Sequence, residues 1–198
     1  TQIGSDLDGE SSYDYFGHSV SLSSDGSVVA IGAYGDDGTS TDAGHVRIYE
    51  NNNGTWTQIG SDIDGEASTN YLGHSVILSD DGSIVAIGAS HNDGGGTYSG
   101  HVRIYKNDNG TWTQIASDID GESSYDYSGY SQSGSAVSLS SDGTVVAIGA
   151  YRNDGGGTYS GHVRIYENNN GTWTQIGSDL DGESSYDYFG HSVSLSSD

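Results

Sequence analysis

Polar and apolar residues alternate strictly in Ser19-Val20-Ser21-Leu22-Ser23, the period of a strand with one face turned to a core. Ser24-Asp25-Gly26 supplies a turn, and the β-branched run Val28-Val29-Ala30-Ile31 resumes, so these two segments predict a hairpin. Beyond the polar loop of residues 34–44, His45-Val46-Arg47-Ile48-Tyr49 alternates again, and Asn53-Gly54 leads into Thr55-Trp56-Thr57-Gln58-Ile59, a second hairpin. Asp-Gly and Asn-Gly suit such tips because a two-residue hairpin turn needs positive φ, which Gly and Asn adopt at little steric cost. Four short strands and frequent glycines leave no room for a helix. The second strand is apolar on both faces, with Val29 and Ile31 on one side and Val28 and Ala30 on the other, so it must be covered twice.

The pattern recurs. Val20, Val76, Val137 and Val193 hold the same place in successive units, at steps of 56, 61 and 56 residues. The longer middle step comes from five extra residues between Asp126 and Val137. Residues 1–25 return letter for letter as 174–198, a super-repeat of 173 residues holding three units. Face-to-face stacking of four-stranded sheets covers an apolar second strand twice, and a repeat slightly over 50 residues long is the mark of propeller blades. The fold class expected is therefore all-β, with four-stranded antiparallel propeller-like blades of about 56 residues in tandem, part of a larger ring or an open filament-forming array. The divisions are 1–17 (last strand of a preceding blade and connector), 18–73, 74–129, 130–190 with the insertion, and 191–198 (start of the next repeat). Strands are expected at residues 1–3 and 192–195, and incomplete ends of this kind favour head-to-tail addition of copies, closing a ring or propagating a fibre.

Composition pulls against a folded reading. Leu, Ile, Val and Phe make up 35 of 198 residues and the net charge is −23, a combination usual in disordered chains. Strict alternation, 15 Tyr and 3 Trp outweigh it, and the aromatic residues are expected to cover sheet faces and blade seams. Carbohydrate stacking is the other use such rings have. Five basic residues against 28 acidic ones exclude nucleic acid as a partner, since phosphates need a basic face. No apolar run of membrane-spanning length occurs, so no membrane insertion is expected. The absence of Cys removes disulfides and thiolate metal sites.

The segment YFGHSVSLSSDGSVVAIGAY followed by AGHVRIYE resembles the FG-GAP repeat of integrin-type β-propellers. Phe16-Gly17 and Gly32-Ala33 stand where its two name-giving motifs fall; elsewhere Phe-Gly becomes Leu72-Gly73 and Ser128-Gly129. The resemblance implies blade architecture and, in many members, calcium in the first hairpin. Here that hairpin offers only Asp25, Asp81 or Asp142, too few carboxylates for six or more coordination places, so these residues are expected to be turn formers.

A second acidic group lies between blades: Asp6, Asp8 and Glu10, repeated as Asp62, Asp64 and Glu66, as Asp118, Asp120 and Glu122, and as Asp179, Asp181 and Glu183. It reads either as a calcium site completed by backbone carbonyls or as a solvated connector whose Leu or Ile plugs the core, and the ligand count favours the connector. Arg47, Arg103 and Arg164, one per unit, are expected to pair with carboxylates between blades. His18, His74 and His191, and His45, His101 and His162, recur in step with the turns, which argues against a catalytic triad and for hydrogen bonds to backbone at strand starts. His91 has no counterpart and no assigned role. Asn53, Asn109 and Asn170 each satisfy the N-glycosylation sequon at a hairpin tip.

The function expected is an extracellular or cell-surface structural repeat protein, not an enzyme, whose partners are copies of itself; its three sequons are candidate glycan sites or simply the preferred Asn-Gly turns. The rival is an adhesion propeller, integrin-like, that binds protein or glycan with calcium. A receptor diversifies its rim, whereas NDGGGTYSGHVRIY is identical at 92–105 and 153–166, which favours the structural reading.

Overall fold

A computed structural model describes residues 1–122 and 136–196. It is all-β among these residues, with three consecutive antiparallel sheets. The first holds β1 (Ser19–Leu22), β2 (Val28–Ala33), β3 (His45–Asn52), β4 (Thr55–Gln58) and β5 (Ile63–Asp64). The second holds β6 (Leu72–Leu78), β7 (Ile84–Ala89), β8 (His101–Asp108), β9 (Thr111–Gln114) and β10 (Ile119–Asp120). The third holds β11 (Val137–Leu139), β12 (Val145–Ala150), β13 (His162–Asn168), β14 (Trp173–Gln175) and β15 (Leu180–Asp181).

Each sheet is a four-stranded meander with a broken outer strand. β4 pairs with the far half of β3 through Tyr49↔Gln58, and β5 pairs with its near half through Val46↔Ile63. The sequence pattern foresees the first piece and not the second, because Ile63-Asp64 is too short to show a period. Register is conserved: Ile31↔Arg47, Ile87↔Arg103 and Ile148↔Arg164 are equivalent pairs. Asn53 and Asn109 have φ of 53° and 51° ahead of Gly54 and Gly110 at 90° and 89°, the positive angles that a primed hairpin turn requires.

The core lies between sheets rather than within any one of them. Val28, Ala30, Val46 and Ile48 of the first blade pack on Val76, Leu78, Val85 and Ile87 of the second. Ala86, Val102 and Ile104, on the opposite face of that second blade, pack on Val137, Leu139, Val146 and Ile148 of the third. At about 25 cal/mol per Å² of apolar surface buried, these two seams are the main stabilising term. The doubly apolar second strand thus has both its faces covered, β7 by a blade on each side.

Residues 1–3 and 192–195 were expected as strands and form none. A fourth strand pairs with the third strand of its own blade and a first strand with its second, and neither terminal segment has that partner within the chain. The second blade opens at Leu72, slightly ahead of the division placed after residue 73. The five-residue insertion and Ser128-Gly129 lie outside the described residues.

Candidate functional site

The seam between blades concentrates the charged chemistry. Each third strand lifts one arginine between two connectors. Arg47 donates to Asp62 Oδ2 through Nε at 3.0 Å and Nη2 at 2.8 Å, and its Nη2 lies 2.6 Å from Glu10 Oε1. Arg103 binds Asp118 in a two-point fork, Nε to Oδ1 at 3.1 Å and Nη2 to Oδ2 at 2.9 Å, and pairs with Glu66. Arg164 donates to Asp179 Oδ2 at 2.8 Å and pairs with Glu122. Gln58, Gln114 and Gln175 each donate to the aspartate Oδ1 at 2.6 Å, which in Asp62 and Asp179 is the oxygen the arginine leaves and in Asp118 is shared with Arg103 Nε. The acidic groups of the two inner connectors, 62–66 and 118–122, are therefore divided. The first aspartate turns back to the arginine of its own blade, and the glutamate reaches forward to the arginine of the next.

Electrostatics follow this division. Burial pushes the Asp62 and Asp118 carboxyls up, but the bonds from arginine and glutamine outweigh it and hold both below the ordinary carboxylate range. Asp179 is lowered chiefly by Arg164. Asp64 and Asp120, the second aspartates, are pushed up by burial and then by Asp62 and Asp118 beside them. Asp6 accepts a bond from Gln2 at 2.7 Å, as Asp62 does from Gln58. Asp8 and Glu183 are exposed.

Two of the histidines that open the third strands, His45 and His101, do not bond to backbone as expected. His45 Nδ1 lies 3.1 Å from Asp36 Oδ1, and His101 Nδ1 lies 3.4 Å from Asp118 Oδ2. They turn to side chains because strand pairing already engages the local backbone. His162 Nδ1 is 3.8 Å from Asp179 Oδ2. His45, Asp62 and Asp64 bring three ligand atoms together, as do His101, Asp118 and Asp120, and Glu122, His162 and Asp179.

At the starts of the first strands the other histidines join tyrosines in a rim that crosses the blade seam. Tyr15 stacks on Tyr34 at 4.8 Å, and His18 meets Tyr34 at 4.7 Å and His74 of the next blade at 4.8 Å. His91 sits between Tyr71 and Tyr98, at 4.7 and 5.1 Å. Tyr13, Tyr15, Tyr71, Tyr98, Tyr159, Tyr186 and Tyr188 all have positive φ, between 52° and 76°, a strained state for an aromatic residue. Sequence reading missed this rim, although the recurring Tyr-Asp-Tyr and Thr-Tyr-Ser-Gly phrases carry it.

The remaining predicted residues sit on outer features. Asp25 Oδ1 accepts from Ser23 Oγ, Ser27 N and Ser27 Oγ within 2.7–2.9 Å, and these bonds, Ser27's first, bring its pKa down to about 2. Asp81 and Asp142 make the same turn. Asn53, Asn109 and Asn170 are exposed at their hairpin tips. The tryptophans tie blades: Trp56, Trp112 and Trp173 Nε1 donate to the carbonyls of Ile3, Ile59 and Ile115 at 3.1, 2.9 and 3.3 Å.

Two solved structures share the fold at low identity, and a third is similar at a lower score. A protein from Bacteroides uniformis ATCC 8492 described as a 6-phosphogluconolactonase is 17% identical with a TM-score of 0.51, covering 81% of this chain and 40% of its own. Saccharomyces cerevisiae Sqt1 is 14% identical with a TM-score of 0.51, covering 86% of this chain and 36% of its own. The β-propeller domain of the Trilobed protease from Pyrococcus furiosus is 10% identical with a TM-score of 0.48, covering 85% and 43%. The chain thus spans less than half the length of each. No curated protein sequence matches it. Residues 7–49 match the FG-GAP repeat, and the same strands and registers return in the second and third sheets, so the chain is a tandem of three β-propeller-like blades of which the first carries that match.

Proposed function

We propose that the chain belongs to an extracellular structural repeat protein that builds a filament, appendage or surface coat by stacking blade on blade. The observation that carries this reading is the docking of residues 189–196, which follow the last strand of the third blade, on that blade. They repeat residues 16–23 letter for letter. Leu195 N donates to Ser138 Oγ at 2.9 Å, just as Leu78 N donates to Ser21 Oγ at 3.0 Å between the first and second blades. The third blade therefore receives the opening segment of a first blade in the register that joins blades inside the unit.

The first blade offers the complementary face. Val20 and Leu22 are 55% and 56% exposed, where their equivalents Val76 and Leu78 are 4% and 5% exposed. A further identical unit, as a second copy or as more of the same chain, buries these residues with contacts already used twice. Glycans on Asn53, Asn109 and Asn170 would stand at the hairpin tips, clear of the stacking faces. No chemical reaction is part of this function.

The second reading is an adhesion propeller, and the tyrosine and histidine rim is the feature that favours it. The identity of the loops at 92–105 and 153–166 favours the structural one. Sedimentation of the chain at rising concentration, with negative-stain microscopy, separates them. Head-to-tail oligomers that vanish in Leu22→Asp are expected; a monomer at every concentration overturns the proposal, and so do isolated rings of fixed size.

A further inference from the structure

At the start of the third strand in the first and second blades a buried imidazole meets the two aspartates of the following connector, close to an Asx side chain from the loop after the second strand. In the second blade these are His101, Asp118, Asp120 and Asn92. One ligand atom each from His101, Asp118 and Asp120 lies within 4.8 Å of the others, a span that an ion with bonds of about 2.0–2.2 Å bridges after small side-chain shifts. A Cβ built on Gly94 would lie 2.5 Å from Asp120 Oδ1 and 3.0 Å from Asn92 Oδ1, so both oxygens flank Gly94, whose N–H donates to Asn92 Oδ1 at 2.7 Å and leaves that oxygen a second lone pair. In the first blade a Cβ on Gly38 would lie 2.8 Å from Asp36 Oδ1 and 3.8 Å from Asp64 Oδ1; in the third, one on Gly155 would lie 2.9 Å from Asn153 Oδ1 and 3.3 Å from Asp181 Oδ1.

Crowded carboxylates alone make only a solvated cluster. The imidazole makes the difference. His101 is 1% exposed, neither of its ring nitrogens has a hydrogen-bond partner, and Nδ1 points at the carboxylates. His45 is 2% exposed and its Nε2 has no hydrogen-bond partner. Leaving such a group dry and unbonded is costly, and the arrangement recurs from blade to blade.

We propose that His101, Asp118, Asp120 and Asn92 bind a divalent first-row transition ion, zinc foremost, and that His45, Asp62, Asp64 and Asp36 do so in the first blade. One imidazole nitrogen with three oxygens suits zinc, whereas calcium takes six to eight oxygens and no imidazole. Asp118 serves both Arg103 and the ion through Oδ2, which has a lone pair left after Arg103 Nη2, whereas Oδ1 is filled by Arg103 Nε and Gln114. Glu66 is engaged by Arg103 and is not a ligand. The site differs from an all-oxygen connector site, and its failure would leave the stacking proposal untouched.

The test uses the chain stripped with EDTA, titrated with ZnCl2 or CaCl2 by calorimetry and followed by thermal melting. Zinc is expected to bind and raise the melting temperature, with one equivalent lost in Asp120→Asn, while calcium leaves melting unchanged. CoCl2 is expected to give visible bands of mixed nitrogen and oxygen ligation in the unaltered chain, weakened in His101→Asn, and this spectrum decides the matter even if a variant misfolds. Absence of zinc binding or of the cobalt bands overturns the site. So does a zinc stoichiometry unchanged in Asp120→Asn and reduced in His74→Gln, which would place the ion on the histidine rim.

Discussion

Gly32 of the first blade and Gly73 of the second touch across the seam: a Cβ on Gly32 would overlap the Gly73 carbonyl, which also accepts from Ser19 Oγ at 2.7 Å. Gly149 and Gly190 repeat the contact two seams on. The glycines of the two FG-GAP motifs are thus partners of each other, from neighbouring blades, and close approach of two backbones is what excludes a side chain there.

Replacing Gly32 with Ala is therefore expected to force the seam apart. Overpacking of a tight site costs about 1–3 kcal/mol. Gly54→Ala, at a hairpin tip where an added Cβ meets nothing within 4 Å, should cost only the strain of its positive φ. Urea unfolding of the two variants checks the ranking, and equal losses would remove the steric account.

Within a blade, the fold is legible in the sequence, because a two-residue period and Asp-Gly or Asn-Gly turns fix strands and register. Between blades it is not. Periodicity shows that Arg47 recurs, and one cation among many carboxylates must find partners, yet nothing local reveals that Asp62 turns back and Glu66 forward. That split depends on where the chain crosses from one sheet to the next, as does the placing of His101 against Asp118. His91 showed no signal at all, since its neighbours Tyr71 and Tyr98 come from separate loops.

Removing Arg103 should be costly in a graded way. It is 6% exposed, and Arg103→Met leaves Asp118 partly buried with one bond from Gln114. Breaking a buried pair from one side costs about 3–5 kcal/mol, and the lower end applies here because Asp118 keeps some contact with water. Glu66 is more than half exposed, so Glu66→Gln should cost less than about 1 kcal/mol. Arg103→Lys should not rescue, since one ammonium cannot make the fork to Asp118. Thermal melts of the three variants test the order.

Trp112→Phe keeps an aromatic ring at the seam and deletes the bond to the Ile59 carbonyl. A neutral hydrogen bond contributes about 0.5–1.5 kcal/mol, and the lost indole area adds to it. The expected result is a lower unfolding midpoint with an unchanged urea dependence, because the surface exposed on unfolding barely changes. A midpoint equal to the parent's would show that the ring alone matters.

Acid should loosen the rim before it reaches the carboxylates. Burial, then His18 and His91, brings His74 down from 6.5 to about 3, and burial with Arg152 brings His91 to about 4. Below pH 6.5 the unfolded chain takes up protons that the folded chain refuses, so stability is full above that value and declines as pH falls toward 3 or 4. Each such histidine contributes a slope of up to about 1.4 kcal/mol per pH unit inside its window. Asp62, Asp118 and Asp179, held low by arginine, lose their contribution only as pH falls below their ordinary 3.8. Asp64 and Asp120, held high, act in the opposite sense near that range. Melting temperatures between pH 7 and pH 4.5 therefore isolate the histidines. A steady fall is expected, with a shallower one in His74→Gln, whose side chain does not titrate; a flat profile, or one unaltered by the substitution, would remove His74 from the account.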